Sequence, residues 1–210
     1  TKLKKPQKNK NGLIRQTVPI LHFGSQYTQL IARRVRENKV FSIIIPYNTP
    51  AKEIAALNPK GLILSGGPAS VVDKKSPYPD IGIFKLGVPI LGICYGMQVI
   101  CELLGGKVRH TREREYGKVE LFIDDNSDLF SHVPGNFTCW ASHGDYVTKM
   151  PSGFHTIGHT TNTPIAAISN QKRKIFAVQF HPEVTHTEKG NQILSNFLFK
   201  ACGASSRWTM

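Results

Sequence analysis

Cys94 stands in the segment Gly92-Ile93-Cys94-Tyr95-Gly96, between an apolar run and a helical pattern. Small residues two before and two after a nucleophile permit a sharp strand-to-helix turn. That turn pushes the side chain out at the strand's carboxyl end, the logic of the G-x-S-x-G elbow with sulfur in place of oxygen. A helix N-terminus beneath a thiol favours the thiolate. Free cysteine is usually a small buried hydrophobe, but glycines on both sides are costly unless the turn needs them. A cysteine nucleophile also requires a base and a group to orient it. Phe180-His181-Pro182-Glu183 supplies both at the end of the strand pattern Ile175–Phe180. His181 can face Cys94 from that edge, and Glu183, two residues on, can hold the imidazole and stabilise its charged form. Among the eight histidines, His143 is the best rival as base. A Cys/His/Glu set of this kind suits acyl transfer.

Two further segments read as binding loops. Ser65-Gly66-Gly67-Pro68 follows a strand pattern, and glycines there let a backbone N–H approach a reacting oxygen. Trp140-Ala141-Ser142-His143-Gly144-Asp145 gathers polar groups beside an aromatic ring, as a loop holding a small polar substrate would. A plain turn is the alternative for each. Cys101 lies on the helix that follows Cys94 and reads as core; Cys139 and Cys202 have no evident partner.

These residues must be positioned by an α/β framework. Short β-branched runs alternate with helical patterns, which predicts an open, mostly parallel sheet flanked by helices. Strands are expected at Val18–Phe23, Val40–Pro46, Gly61–Leu64 and Pro89–Ile93, and helices at Gln26–Asn38, Ala51–Leu57, Ile81–Leu86 and Tyr95–Leu104. Gly105-Gly106 reads as a helix C-cap. The second half is richer in β pattern, with strands at Lys118–Asp124, Ile165–Ser169 and Lys174–Phe180, before a final helix at Glu188–Lys200. No internal repeat is visible.

Composition narrows the class. The 210 residues fit about one domain, and no apolar stretch approaches the roughly 20 residues of a membrane span. The N-terminus is basic without an apolar region behind it, unlike a secretory signal. Four cysteines without a CxxC pair argue against a zinc site or disulfide framework and fit a reducing cytoplasm. The formal charge of +13 includes five lysines in the first ten residues. Residues 1–16 therefore read as a basic tail, 17–202 as the folded domain and 203–210 as the start of a linker. The remaining positive charge is scattered, which argues against a nucleic-acid partner.

Taken together, the residues resemble the class I, or triad, glutamine amidotransferases, and within them the glutaminase domains of GMP synthetases. The likeness runs from about Val18 to Met210. It is carried by Phe23–Arg36, Leu64–Pro68, Gly92–Gln98, Ser142–Asp145 and Gln179–Val184. The resemblance implies a flavodoxin-like fold, with Cys94 as nucleophile, His181 as acid/base and Glu183 as its orienter. It implies an oxyanion hole from the Gly67 and Tyr95 backbone amides, and L-glutamine held by Gln98, Ser142, Gly144 and Asp145. No metal or cofactor is expected here. ATP and Mg²⁺ belong to the family's ATP-pyrophosphatase domain, which aminates XMP to GMP and is the implied partner, whether this chain is a truncated piece or a separate subunit. One departure is His22, where these proteins commonly have aspartate.

Two other readings compete. A glutaminase subunit of another amidotransferase, such as that serving anthranilate synthesis, conflicts with Gly24–Tyr27 and Ser142–Asp145. A regulatory or nucleic-acid-binding module conflicts with the intact Cys94, His181 and Glu183.

Overall fold

Strands buried on both faces carry unbroken apolar runs, and those runs form the centre of the molecule. The computed structural model describes residues 16–208, except the side chains of residues 111–113. In chain order the strands are β1 (Thr17–His22), β2 (Phe41–Pro46), β3 (Leu62–Leu64), β4 (Ile90–Ile93), β5 (Lys107–Ile123), β6 (Asn136–Lys149), β7 (His155–His159), β8 (Ala167–Asn170) and β9 (Ile175–Val178). The helices are α1 (Thr28–Glu37), α2 (Ala51–Ala55), α3 (Tyr95–Leu103) and α4 (Gly190–Asn196). The strands join one sheet in the order β2-β1-β3-β4-β9-β8-β7-β5-β6. The first five in that order run parallel, and the remainder are antiparallel.

Alternate residues of the parallel strands enter separate cores on the two faces. Val18, Ile20, Leu91 and Ile93 pack with Ile31 and Val35 of α1 and Ile193 and Leu194 of α4. Leu21, Leu64 and Ile90 pack with Ile54 of α2 and Tyr95, Met97 and Ile100 of α3. The parallel strands thus end together at one edge, where open α/β sheets bind ligands.

Several boundaries differ from expectation. Helix α1 begins at Thr28, because Ser25 accepts hydrogen bonds from the Tyr27 and Thr28 amides and makes Gln26-Tyr27 a turn. Strand β9 stops at Val178, as the Gln179 and His181 amides turn to the Ala166 and Trp140 carbonyls. Helix α4 spans less than Glu188–Lys200 and passes into a wide π-turn over Phe197–Ala201. The larger correction concerns Trp140–Asp145, which lies inside β6 and not in a loop. Its inward positions alternate as a strand requires, at Phe137, Cys139, Ala141, His143, Asp145 and Val147. Two of these are polar, which disguised the alternation. The Gly105-Gly106 cap is present: Gly105 has φ 91 and Gly106 N donates to Cys101 O at 2.7 Å.

Residues 1–15 of the expected tail lie outside the described residues. Trp208, in the stretch read as a linker, donates its amide to Lys39 O at 2.8 Å and faces the Phe41 ring. Among the described residues no helix is long and apolar enough to cross a membrane.

Gly190 opens α4 directly against Pro182, and a Cβ there would overlap the Pro182 carbonyl. Gly190→Ala is expected to cost about 3 kcal/mol through overpacking. A thermal melt should show Tm lowered by about 6–12 °C.

Candidate active site

The turn between β4 and α3 places Cys94 at the carboxyl edge of the sheet with φ 51 and ψ −107. A non-glycine residue adopts a positive φ of this kind only where its surroundings enforce it. The flanking glycines explain the tolerance. A Cβ on Gly92 would lie 2.8 Å from the Gly96 carbonyl oxygen, and one on Gly96 would run into the Leu64 carbonyl oxygen of β3. The Cys94 amide donates to Val178 O at 2.8 Å, so the elbow is pinned to the end of β9.

His181 follows β9 three residues after its last residue and is 4% exposed. Its Nδ1 lies 2.8 Å from Oε1 of Glu183, which is fully buried. The backbone around the ring is held on three sides. His181 N donates to Trp140 O at 2.9 Å, Thr187 Oγ1 donates to His181 O at 2.6 Å, and Arg34 Nε donates to Glu183 O at 3.0 Å. Tyr27 meets the imidazole edge-on with ring centres 5.2 Å apart. Burial alone would lower the affinity of His181 for a proton. The negative charge and hydrogen bond of Cys94, with those of Glu183, outweigh it and hold the ring well above its ordinary value of 6.5. An imidazole with raised proton affinity beside a cysteine can pair a proton donor with a nucleophile.

The Ser65–Pro68 turn closes one side. A Cβ on Gly66 would sit 3.2 Å from His181 Cε1 and 3.7 Å from the Cys94 Cβ. Gly67 packs against the Phe23 backbone, where a Cβ would come within 2.6 Å of the carbonyl oxygen. Among the described residues no protein acceptor takes the Gly67 or Tyr95 amide hydrogen. Tyr95 opens α3, where such donors point outward.

Strand β6 forms the opposite wall. The Cys94 thiol faces Ser142 O at 3.8 Å, and Gln179 Nε2 faces the sulfur at 3.7 Å. Gln98, one helical turn after Cys94, is 3% exposed. Its Nε2 donates to Asp145 O at 3.2 Å and to Gln179 Oε1 at 3.4 Å. Asp145 Oδ1 lies 2.5 Å from His110 Nδ1. Gly144 faces Arg114, whose Nε would lie 3.5 Å from a Cβ there. The structure therefore gathers Cys94, His181, Glu183, Gly67, Tyr95, Gln98, Ser142, Gly144 and Asp145 around one edge of the sheet.

His143, the rival base, is committed elsewhere: Nε2 lies 3.2 Å from Glu115 Oε2, and Nδ1 lies 3.0 Å from Asp145 O. His22 is exposed, with Nδ1 2.8 Å from Thr28 Oγ1. Burial pushes the Cys101 and Cys139 thiols up to about 12. The sequence reading missed Glu115, Thr187 and the role of Gln179. Gln179 sat within a quoted motif; Glu115 sat in a charged run that gave no signal.

A family model for class-I glutamine amidotransferases matches residues 20–201. The chain belongs to that family. Curated relatives of this amidotransferase include the GMP synthase [glutamine-hydrolyzing] of Acetivibrio thermocellus, 52% identical over 195 residues. That match takes in 93% of this chain and 38% of the relative. The protein of the same name from Gloeobacter violaceus is 52% identical across 94% of this chain and 36% of its own length. The chain thus spans little more than a third of the curated relatives it matches. A solved Thermoplasma acidophilum protein, described as one subunit of a GMP synthase, superposes with a TM-score of 0.81 at 29% identity, covering 90% of this chain and 94% of that one. A Thermotoga maritima glutamine amidotransferase, 17% identical, shares the fold with a TM-score of 0.71 over 90% of this chain and 99% of its own.

The raised proton affinity of His181 has a stability consequence. The stabilisation from its bound proton is fully present below about pH 6.5, the value of an unfolded histidine, and is lost as pH rises through the higher folded value. Urea melts should show wild type's margin over His181→Gln largest near about pH 6 and shrinking as pH rises into the alkaline range.

Proposed function

We propose that this amidotransferase hydrolyses L-glutamine through a Cys94 thioester and delivers the ammonia for amination of XMP to GMP. The observation that carries the reading is the buried Glu183–His181 pair beside a cysteine on a strained elbow, in a chain of this family. The Cys94 thiolate attacks the side-chain carboxamide carbon of glutamine. The oxyanion that forms is met by the Gly67 and Tyr95 amides. Protonated His181 gives its proton to the departing nitrogen, so ammonia leaves and a γ-glutamyl thioester remains. Neutral His181 then takes a proton from water, whose oxygen attacks the thioester; the C–S bond breaks, glutamate departs, and the Cys94 thiolate and protonated His181 are restored. Glu183 keeps the imidazole oriented and favours its charged form.

Gln98, Ser142, Gly144 and Asp145 hold the glutamine, with the Asp145 carboxylate receiving the α-amino group. None of these steps uses a metal or cofactor. ATP and Mg²⁺ act in the ATP-pyrophosphatase domain that consumes the ammonia, either on a separate partner chain or as part of one chain. The names and lengths of the curated relatives support the fused arrangement, and the Thermoplasma protein supports the separate one. The cytoplasm, where XMP is aminated, is the expected location.

Ammonia release from L-glutamine tests this, alone and with an ATP-pyrophosphatase domain supplied with XMP, ATP and Mg²⁺. Cys94→Ala should abolish it, and Glu183→Gln should lower kcat about 100-fold or more. Stimulation by the partner supports the role in GMP synthesis; release that persists in Cys94→Ala would overturn the mechanism.

A further inference from the structure

A second buried carboxylate–histidine pair lies one layer behind the site. Glu115 and His143 are directly opposite on β5 and β6, and both are buried, at 4% and 6% exposure. Glu115 Oε1 accepts from Thr160 Oγ1 at 2.7 Å, and Oε2 accepts from Thr163 Oγ1 at 2.8 Å and from His143 Nε2 at 3.2 Å. Both threonines are buried as well. Burial would push the Glu115 carboxyl up, but His143 and the two hydroxyls outweigh it and hold the group below its ordinary value. The four side chains form a buried hydrogen-bonded cluster, and the catalytic steps use none of them.

The cluster points toward substrate. The other ring nitrogen of His143 faces Asp145 O at 3.0 Å, and that same oxygen receives Gln98 Nε2 at 3.2 Å. Gln98 joins Gln179, and Gln179 faces the Cys94 sulfur. A continuous polar chain thus runs from Glu115 to the nucleophile, with the Asp145 carbonyl as its junction. Glu115 and the Asp145 carbonyl face the two nitrogens of the His143 ring. Its orientation is therefore fixed from both ends. The β5 chain bulges here: residues 111–114 lie between His110, opposite Asp145, and Glu115, opposite His143. On β6 only Gly144 lies opposite that bulge, so the ladder is irregular between His143 and Asp145, the stretch that the side-chain cluster adjoins.

We propose that the Glu115–His143 pair is a positioning device for substrate recognition, fixing the Asp145 backbone so that its carboxylate meets the α-amino group of glutamine. This rests on the assignment of Asp145 to that group. Glu115 and His143 touch neither substrate nor the reacting atoms. They set how well the site distinguishes glutamine from the same carboxamide without its amino group.

The test reads binding, independent of turnover. Cys94 is alkylated with iodoacetamide and followed by mass spectrometry, with rising L-glutamine or 4-carbamoylbutanoate, which lacks only the α-amino group. Wild type should be protected by glutamine at a concentration at least about tenfold lower than by the analogue, the scale of one charged hydrogen bond. Glu115→Gln should bring that ratio down at least about fivefold, and Thr163→Val, a milder change that keeps the carboxylate, should reduce it less. The alkylation rate without ligand reports whether the surroundings of Cys94 remain intact. Asp145→Ala separates the two levels of argument. If it collapses the ratio while Glu115→Gln and Thr163→Val keep the wild-type value, the positioning role is wrong and the Asp145 assignment stands. If Asp145→Ala keeps the wild-type ratio, the assignment fails and the positioning role with it. If glutamine does not protect wild type at all, the glutaminase reading itself fails.

Discussion

The backbone of Cys94 is held at φ 51, where a non-glycine residue costs on the order of 1–3 kcal/mol, and much of the site follows from keeping it there. The turn exists only because α3 lies so close to β3 and β4 that neither Gly92 nor Gly96 has room for a side chain. That proximity comes from the apolar parallel strands and from Tyr95, Met97 and Ile100 packed beneath them. The cysteine amide is fastened to β9, the strand that leads into His181. One local constraint therefore sets where the sulfur points and ties it to the strand that leads into His181.

The parallel half positions Cys94 and His181, and the antiparallel half faces them across the edge of the sheet. Strand β6 runs past the elbow and presents the Ser142 carbonyl to the sulfur and the Asp145 carboxylate farther along. Thr187 joins the halves: it donates to His181 O and accepts from the Trp140 amide, so one hydroxyl links the histidine loop to β6. Arg34 does the same from α1 by donating to the Glu183 carbonyl. The imidazole is thus placed by three separate elements and not by its own loop alone.

The elbow, the histidine motif and the parallel strands were legible in the sequence because each depends on neighbours in the chain. Gly92 and Gly96 bracket Cys94, Glu183 lies two residues from His181, and an apolar run such as Ile90–Ile93 marks a doubly buried strand. The β6 wall was misread because its inward positions include His143 and Asp145, and a polar residue in an alternating pattern looks like a turn. Glu115 was invisible for a related reason. Its partners, Thr160, Thr163 and His143, lie far from it in sequence, and nothing beside it in the chain marks it as buried. Short-range chemistry can be read from a sequence; a cluster assembled across strands requires the register.

The position of β9 bears on how the molecule comes into being. It is the last strand among the described residues, yet it lies between β4 and β8 near the middle of the sheet. Until it arrives, the edges of β4 and β8 have no neighbour to pair with there, and the two halves have no shared strand. Pairing of this kind is non-local and slow, because the intervening chain must be ordered first. During synthesis the elbow can emerge and α3 can form long before His181 exists to serve it. A nascent chain therefore carries the Cys94 elbow before His181 is there to lie beside it, and the two sides of the site meet only when the sheet closes.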